Sequence, residues 1–161
     1  MLLFLDVDGP LIPFGGPGPY PRYGPPAPHH PLLSRLDPAL GPALLALGCD
    51  LVWATTWGED ANTVVGPRLG LPPLPVADLP EEPPPPGVHW KTRPLLSRAA
   101  GRPFVWLDDE ITPADREYVE ACRPAPALLY RVAPERGLVK GDLEAVAAWL
   151  SRTPVRRSRT P

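Results

Sequence analysis

The sequence predicts a three-layer α/β domain, a parallel sheet with helices on both faces. Three observations carry this expectation. Short apolar runs without polar alternation, such as LLFL at residues 2–5, suit strands covered on both faces. Segments with leucines at helical spacing lie between them, so that strand and helix alternate, as they do in parallel sheets with right-handed crossovers. A chain of 161 residues is also long enough for one domain with one substantial core and short for two.

The elements follow in order. Leu2–Leu5 reads as the first buried strand. Asp37 and Pro38 read as an N-cap and first helical residue, followed by PALGPALLALG with Gly48 as the stop, and Pro42 argues for a late start to this helix. DLVWAT, residues 50–55, reads as the second buried strand. EDANTVVGPRLG, residues 59–70, reads as a short helix ended by Gly66 and Pro67, and KTRPLLSRAAG, residues 91–101, as another stopped by Gly101. PFVWLDD, residues 103–109, makes the third strand. Thr112 is placed to cap the next helix, with Pro113 in its first turn and Asp115 completing a capping box. ALLYRV, residues 127–132, reads as a fourth strand, and Asp142 opens a last amphipathic helix, DLEAVAAWL.

The chain carries 28 prolines and 14 glycines, a proportion that in isolation suggests low complexity. The prolines gather in two stretches, about residues 10–33 and 67–88, which read as stiff loops between ordered elements. Residues 1–150 are therefore expected to form one domain, with 151–161 as a basic, disordered tail. With 16 basic and 18 acidic side chains the formal net charge is -2, which gives no global attraction to nucleic acid or membrane. Cys49 and Cys122 show no metal-ligand spacing and read as two core thiols in a reducing compartment. No apolar run reaches membrane-spanning length, and a cytoplasmic protein is the expectation.

In such sheets chemistry sits at the carboxyl ends of the strands. There the sequence places Asp6 and Asp8 after the first strand, Thr55 and Thr56 after the second, and Asp108 and Asp109 after the third. Four carboxylates converging on one edge repel one another unless a divalent cation and a basic side chain neutralise them. An all-oxygen set without His or Cys suits Mg2+, and Lys91, at the head of a helix, is the candidate base. Trp57 and Trp90 flank these residues and are expected to line the pocket. His29 and His30 are adjacent rather than spaced for a metal and read as a loop pair, and Asn62 either contacts substrate or caps a turn.

The order LFLDVDG, VWATTW, HWK, VWLDDE resembles the four signature motifs of the haloacid dehalogenase (HAD) superfamily of phosphohydrolases, from Leu2 to about Leu150. It looks closest to small actinobacterial-type members. The resemblance implies a Rossmann-like HAD fold. It also implies a phosphatase in which Asp6 is the nucleophile, forming an aspartyl-phosphate, and Asp8 is the general acid and then the base. Asp6, the backbone carbonyl of Asp8 and Asp108 would hold Mg2+, with Asp109 either a further ligand or an outer acceptor. Thr55 would bind the phosphoryl oxygens, with Thr56 beside it as the alternative. Lys91 would pair with Asp6 and phosphate, and Gly9 would let the backbone approach the phosphate. Pro10 departs from the family, removing a backbone donor and stiffening the turn.

Neither proline-rich gap is long enough for a folded α/β cap, so an open site is expected. Such a site suits a phosphorylated substrate, small or macromolecular. Phe14, Tyr20, Tyr23 and Arg22 either stack on a base or pin the first loop to the domain. The tail, SRTPVRRSRTP, has four arginines, which leaves a nucleic-acid end-processing phosphatase as one alternative. A catalytically silent phosphate-binding module is the other.

Overall fold

The computed structural model describes residues 1–25, 27, 30–80, 83–122 and 125–153. Four strands, β1 (Leu2–Leu5), β2 (Asp50–Trp53), β3 (Phe104–Asp108) and β4 (Ala127–Arg131), form one sheet in the order β2-β1-β3-β4. Every pairing is parallel. β1 is hydrogen-bonded on both edges and covered on both faces, which is why LLFL is apolar without alternation.

Side chains on a strand alternate between faces, and this separates two cores. Leu3, Leu5, Leu51, Trp53, Val105 and Leu107 pack with Leu40 and Leu44 of α1 (Leu40–Leu45) and Leu143 and Val146 of α5 (Lys140–Arg152). Leu2, Phe4, Val52, Phe104 and Trp106 pack with Leu95 and Ala99 of α3 (Thr92–Ala99) and Val119 of α4 (Pro113–Cys122). The Phe4 and Phe104 rings meet edge to face with centroids 5.5 Å apart. The three-layer expectation is met: helices lie on both faces of a parallel sheet. Among the described residues no helix is long and apolar enough to cross a membrane.

The chain leaves β1 for β2 on one side, then crosses back past β1 to β3 on the other. The connection therefore changes direction between β1 and β3, and open α/β sheets offer their binding crevice at such a point.

Several element boundaries differ from the sequence expectation. α1 does not begin after Asp37, whose Oδ1 accepts the N–H of Ala39 at 2.9 Å, but at Leu40, the late start for which Pro42 argues. The late start puts Pro42 in the first turn, where a missing N–H leaves no bond unmade. Gly66 and Pro67 do not end the second helix. A π-helical turn, Ala61–Val65, runs into α2 (Gly66–Leu69), and Gly70, at φ +65°, closes it. Pro67 thus stands at the start of an α-helical turn, a position that tolerates it. α3 ends on Ala100, one residue before Gly101, with φ +49°. Asp142 is the third residue of α5 rather than its opening cap. Its carboxylate accepts the N–H of Val139, the Tyr130 hydroxyl and both Arg136 guanidinium nitrogens. α5 continues to Arg152, past the expected end of the domain, while residues 154–161 of the tail lie outside the described residues. Cys122 is exposed at the end of α4 and is not a core thiol, while Cys49 is half-buried and packs against the core. The expected strand at β4 and the Thr112–Asp115 capping box are both present.

α1 and α2 approach so closely that a Cβ on Gly41 would collide with the carbonyl oxygen of Leu69. Gly41→Ala is expected to destabilise the fold by about 2 kcal/mol through overpacking, read as a lower urea midpoint at unchanged m-value.

Candidate functional site

Alternation and register bring two acids side by side. Leu2 and Phe4 face α3, so Asp6 continues that face; Phe104 and Trp106 do the same for Asp108. The pairing Phe4↔Trp106, carried two residues on, sets Asp6 beside Asp108. Lys91, the residue before α3, enters from that same side. Its Nζ donates to Asp6 Oδ2 and to Asp108 Oδ2, both at 2.8 Å. All three are deeply buried: Lys91 is 2% exposed, Asp6 6% and Asp108 0%.

The remaining bonds fix the carboxylates. Asp6 Oδ1 accepts the N–H of Val7 at 2.8 Å. Asp108 Oδ2 also accepts Trp106 Nε1–H at 3.1 Å, and Oδ1 accepts the N–H of Glu110 at 2.9 Å. Asp109 lies beyond them against Gly9, whose φ is +81° and where a Cβ would sit 2.5 Å from Asp109 Cγ. Glycine is thus required there for space as well as for backbone conformation. Carboxylate oxygens of Asp6, Asp108 and Asp109 lie within 4.8 Å of one another, so these three can hold a metal ion.

One ammonium does not offset this much buried negative charge. Burial, and then the charge of Asp108, push the Asp6 carboxyl up to about 7 despite Lys91. The same causes push Asp109 to about 6. Burial alone would lower the pKa of Lys91, but the charges of Asp6 and Asp108 outweigh it and hold it above its ordinary value. A hard divalent cation fits the donor set, which is all carboxylate oxygen and short of positive charge.

The other sequence-predicted residues surround this cluster. Asp8 is half-buried, and its Oδ2 accepts Trp57 Nε1–H at 2.9 Å; its carboxyl is not one of the three that converge. Thr55 is buried at the end of β2, its Oγ1 3.4 Å from the Trp57 N–H, whereas Thr56 is exposed. Trp90 lies beside Lys91, whose Nζ is 5.7 Å from its ring centroid. Asn62 is occupied structurally. It accepts from Trp53 Nε1–H and the N–H of Leu74 and donates to the Leu74 carbonyl and to Glu59. In the first loop Tyr20 acts as a pin, its hydroxyl taking the N–H of Gly16 and its ring lying 4.1 Å below the Arg35 guanidinium. Phe14 and Tyr23 are exposed. His29 lies outside the described residues, and His30 stacks on Trp57 at 5.0 Å. A cavity of about 910 Å³ opens elsewhere, between this loop, α1 and α5, and none of Asp6, Asp8, Asp108 and Asp109 lines it.

Two further residues hold the site, Asp115, which the sequence marks only as a helix cap, and His89, the first residue of HWK. Asp115 is fully buried, and beyond its capping box with Thr112 it accepts the N–H of His89 at 2.7 Å and the Thr92 hydroxyl at 2.6 Å. It therefore grips the chain on both sides of Lys91. Burial works against its charge, but the bonds from Thr92, Thr112 and His89 win and hold its pKa below the ordinary carboxylate value. His89 accepts the N–H of Lys91 on Nδ1 at 3.2 Å, while its Nε2 lies 3.0 Å from Glu110. That arrangement puts the ring proton on Nε2.

Asp115→Ala should cost about 3 kcal/mol by chemical denaturation, because it orphans two backbone N–H groups, the buried Thr92 hydroxyl and the half-buried Thr112 hydroxyl. The raised Asp6 pKa gives a pH signature. Between pH 3.8 and about 7 the folded state holds a proton that the unfolded chain has lost. In chelator the stability from this group is therefore full at the acid end of the window and lost as pH rises through 7. Asp6→Asn is expected to flatten that fall and raise Tm at pH 8, measured by thermal unfolding across the range. No family model, curated protein or solved structure matches the chain, so the chemistry of the site is carried by its own geometry.

Proposed function

We propose that the chain is a Mg2+-dependent phosphomonoester hydrolase of the HAD type, working through an aspartyl-phosphate on Asp6. The observation that carries this reading is the bridge from Lys91 Nζ to Asp6 and Asp108, with Asp109 in reach of the same ion, at the carboxyl ends of β1 and β3. The likeness of the four motifs to those of HAD phosphohydrolases supports it. Asp6, Asp108 and Asp109, with the backbone carbonyl of Asp8, would hold the cation. Bound there, it would offset the crowded negative charge and polarise the phosphoryl oxygens.

The residues divide the work. A carboxylate oxygen of Asp6 bonds to phosphorus as the bond to the leaving-group oxygen breaks, and Asp8 delivers a proton to that oxygen. Asp8 then takes a proton from water, the water oxygen bonds to phosphorus, and the Asp6 carboxylate departs, releasing inorganic phosphate. Lys91 offsets the negative charge shared between Asp6 and the phosphoryl group through both halves. The Thr55 hydroxyl and the backbone N–H of Thr56 would donate to the phosphoryl oxygens, whereas the Gly9 N–H is already given to the Ile12 carbonyl at 3.1 Å. Thr56 is exposed and Asp8 and Asp109 are half-buried. This favours open access, and hence a terminal phosphate on a large substrate or small phosphates taken with little selectivity.

The expected result is hydrolysis of 4-nitrophenyl phosphate with Mg2+ and none with chelator. Asp6→Asn, with its circular dichroism unchanged, should lose about 10³-fold or more in kcat/KM. Unchanged turnover in that variant overturns the covalent mechanism. Binding of phosphate or beryllium fluoride without turnover of any phosphate ester in a panel would favour the silent module.

A further inference from the structure

The proposed reaction asks Asp8 to give and then take a proton, yet Asp8 stands on a turn outside the Lys91 bridge. Its carboxylate is reached from a residue 49 positions away, where Trp57 Nε1–H donates to Oδ2 at 2.9 Å. Trp57 is itself held. Its backbone N–H lies 3.4 Å from Thr55 Oγ1, and the His30 ring, from the proline-rich loop, meets its ring with centroids 5.0 Å apart at 39°.

Core packing accounts for this placement only in part, since Trp57 packs its ring against the core that faces α1 and α5. Trp57 is half-buried, unlike Trp53 and Trp106, which are fully buried, so water could satisfy its N–H without Asp8. A carboxylate whose proton must move along a defined line gains from being held in one rotamer. A donor on Oδ2 does this and leaves Oδ1 as the oxygen that carries the proton.

We propose that Trp57 is a positioning residue for proton transfer, its indole N–H fixing the Asp8 carboxyl so that Oδ1 serves the leaving group and then the attacking water. The inference rests on the phosphatase reading. It also gives the proline-rich loop a role: through His30 it supports the ring that orients Asp8.

Trp57→Phe keeps a ring for His30 to pack on and removes the N–H. Protonation of the leaving oxygen matters little for 4-nitrophenolate and much for an alkoxide. In kcat/KM, which reports the steps up to departure of the leaving group, the variant is expected to lose less than about 10-fold against 4-nitrophenyl phosphate and about 100-fold against an alkyl phosphate. Combined with Asp8→Asn, Trp57→Phe should add almost nothing, because the two side chains act as a unit. A uniform loss across the substrates, or additive losses in the double variant, overturns the inference and leaves the phosphatase standing. Wild-type protein inert on every substrate overturns both. Should Trp57→Phe fail to fold, the bond is read in the ¹⁵N-labelled protein: Asp8→Asn should shift one of the five indole N–H signals, and five unmoved signals refute the contact.

Discussion

The Lys91 ammonium held between Asp6 and Asp108 is the interaction on which the site depends. Bringing these groups out of water costs several kcal/mol per ion, and the bridge repays it only if its geometry is held closely. The holding is done by other parts of the chain. Asp115 clamps His89 and Thr92 on either side of Lys91 and ties them to the start of α4. Trp106 and the Glu110 N–H fix the two oxygens of Asp108. Even so, the acids are not fully offset: burial first, and then the charge of Asp108, hold the Asp6 and Asp109 pKa values above the ordinary carboxylate range. A site with surplus buried carboxylate is poised to take a cation, and the proposed chemistry depends on that surplus.

Core and chemistry share the same strands. Along β1 the residues facing α3 run Leu2, Phe4, Asp6, and along β3 they run Phe104, Trp106, Asp108. Each row begins in an apolar layer and ends in an acid, so the two carboxylates rest on a dry aromatic floor. That floor both stabilises the domain and raises the acid pKa. Trp106 belongs to both functions, filling the core with its ring and donating to Asp108 with its N–H. The two acids meet because β1 and β3 pair in parallel where the connection reverses, which leaves their strand ends adjacent.

Much of this is legible in the residues. Uninterrupted apolar runs reveal buried parallel strands because the period-two alternation is lost when both faces are covered. Polar residues closing those runs mark the functional edge. Helix limits are less legible. Gly66 and Pro67 read as a stop, yet a π-helical turn before them moves the proline to a position that tolerates it, and the helix runs on to Gly70. Asp142 reads as a cap because its carboxylate suits one, but it stands at the third helical position, where it reaches back to the Val139 N–H and also accepts from Arg136 and Tyr130. Cys122 ends an amphipathic helix, and the face on which it falls is decided by how α4 docks.

By itself the sequence determined the α/β class, the parallel sheet and the acids, threonines and lysine that stand at its edge, since these follow from local hydrophobicity and from strand order. Tertiary structure alone decided their partners. It set Lys91 against both Asp6 and Asp108, kept the Asp8 carboxyl on Trp57 and apart from the other three, and turned Asp115 from a helix cap into the clamp beneath Lys91. The physical reason is range. A cap or a strand is settled by neighbours a few residues away, whereas these bonds join residues 17 to 85 positions apart and exist only once the sheet and its helices have closed around them.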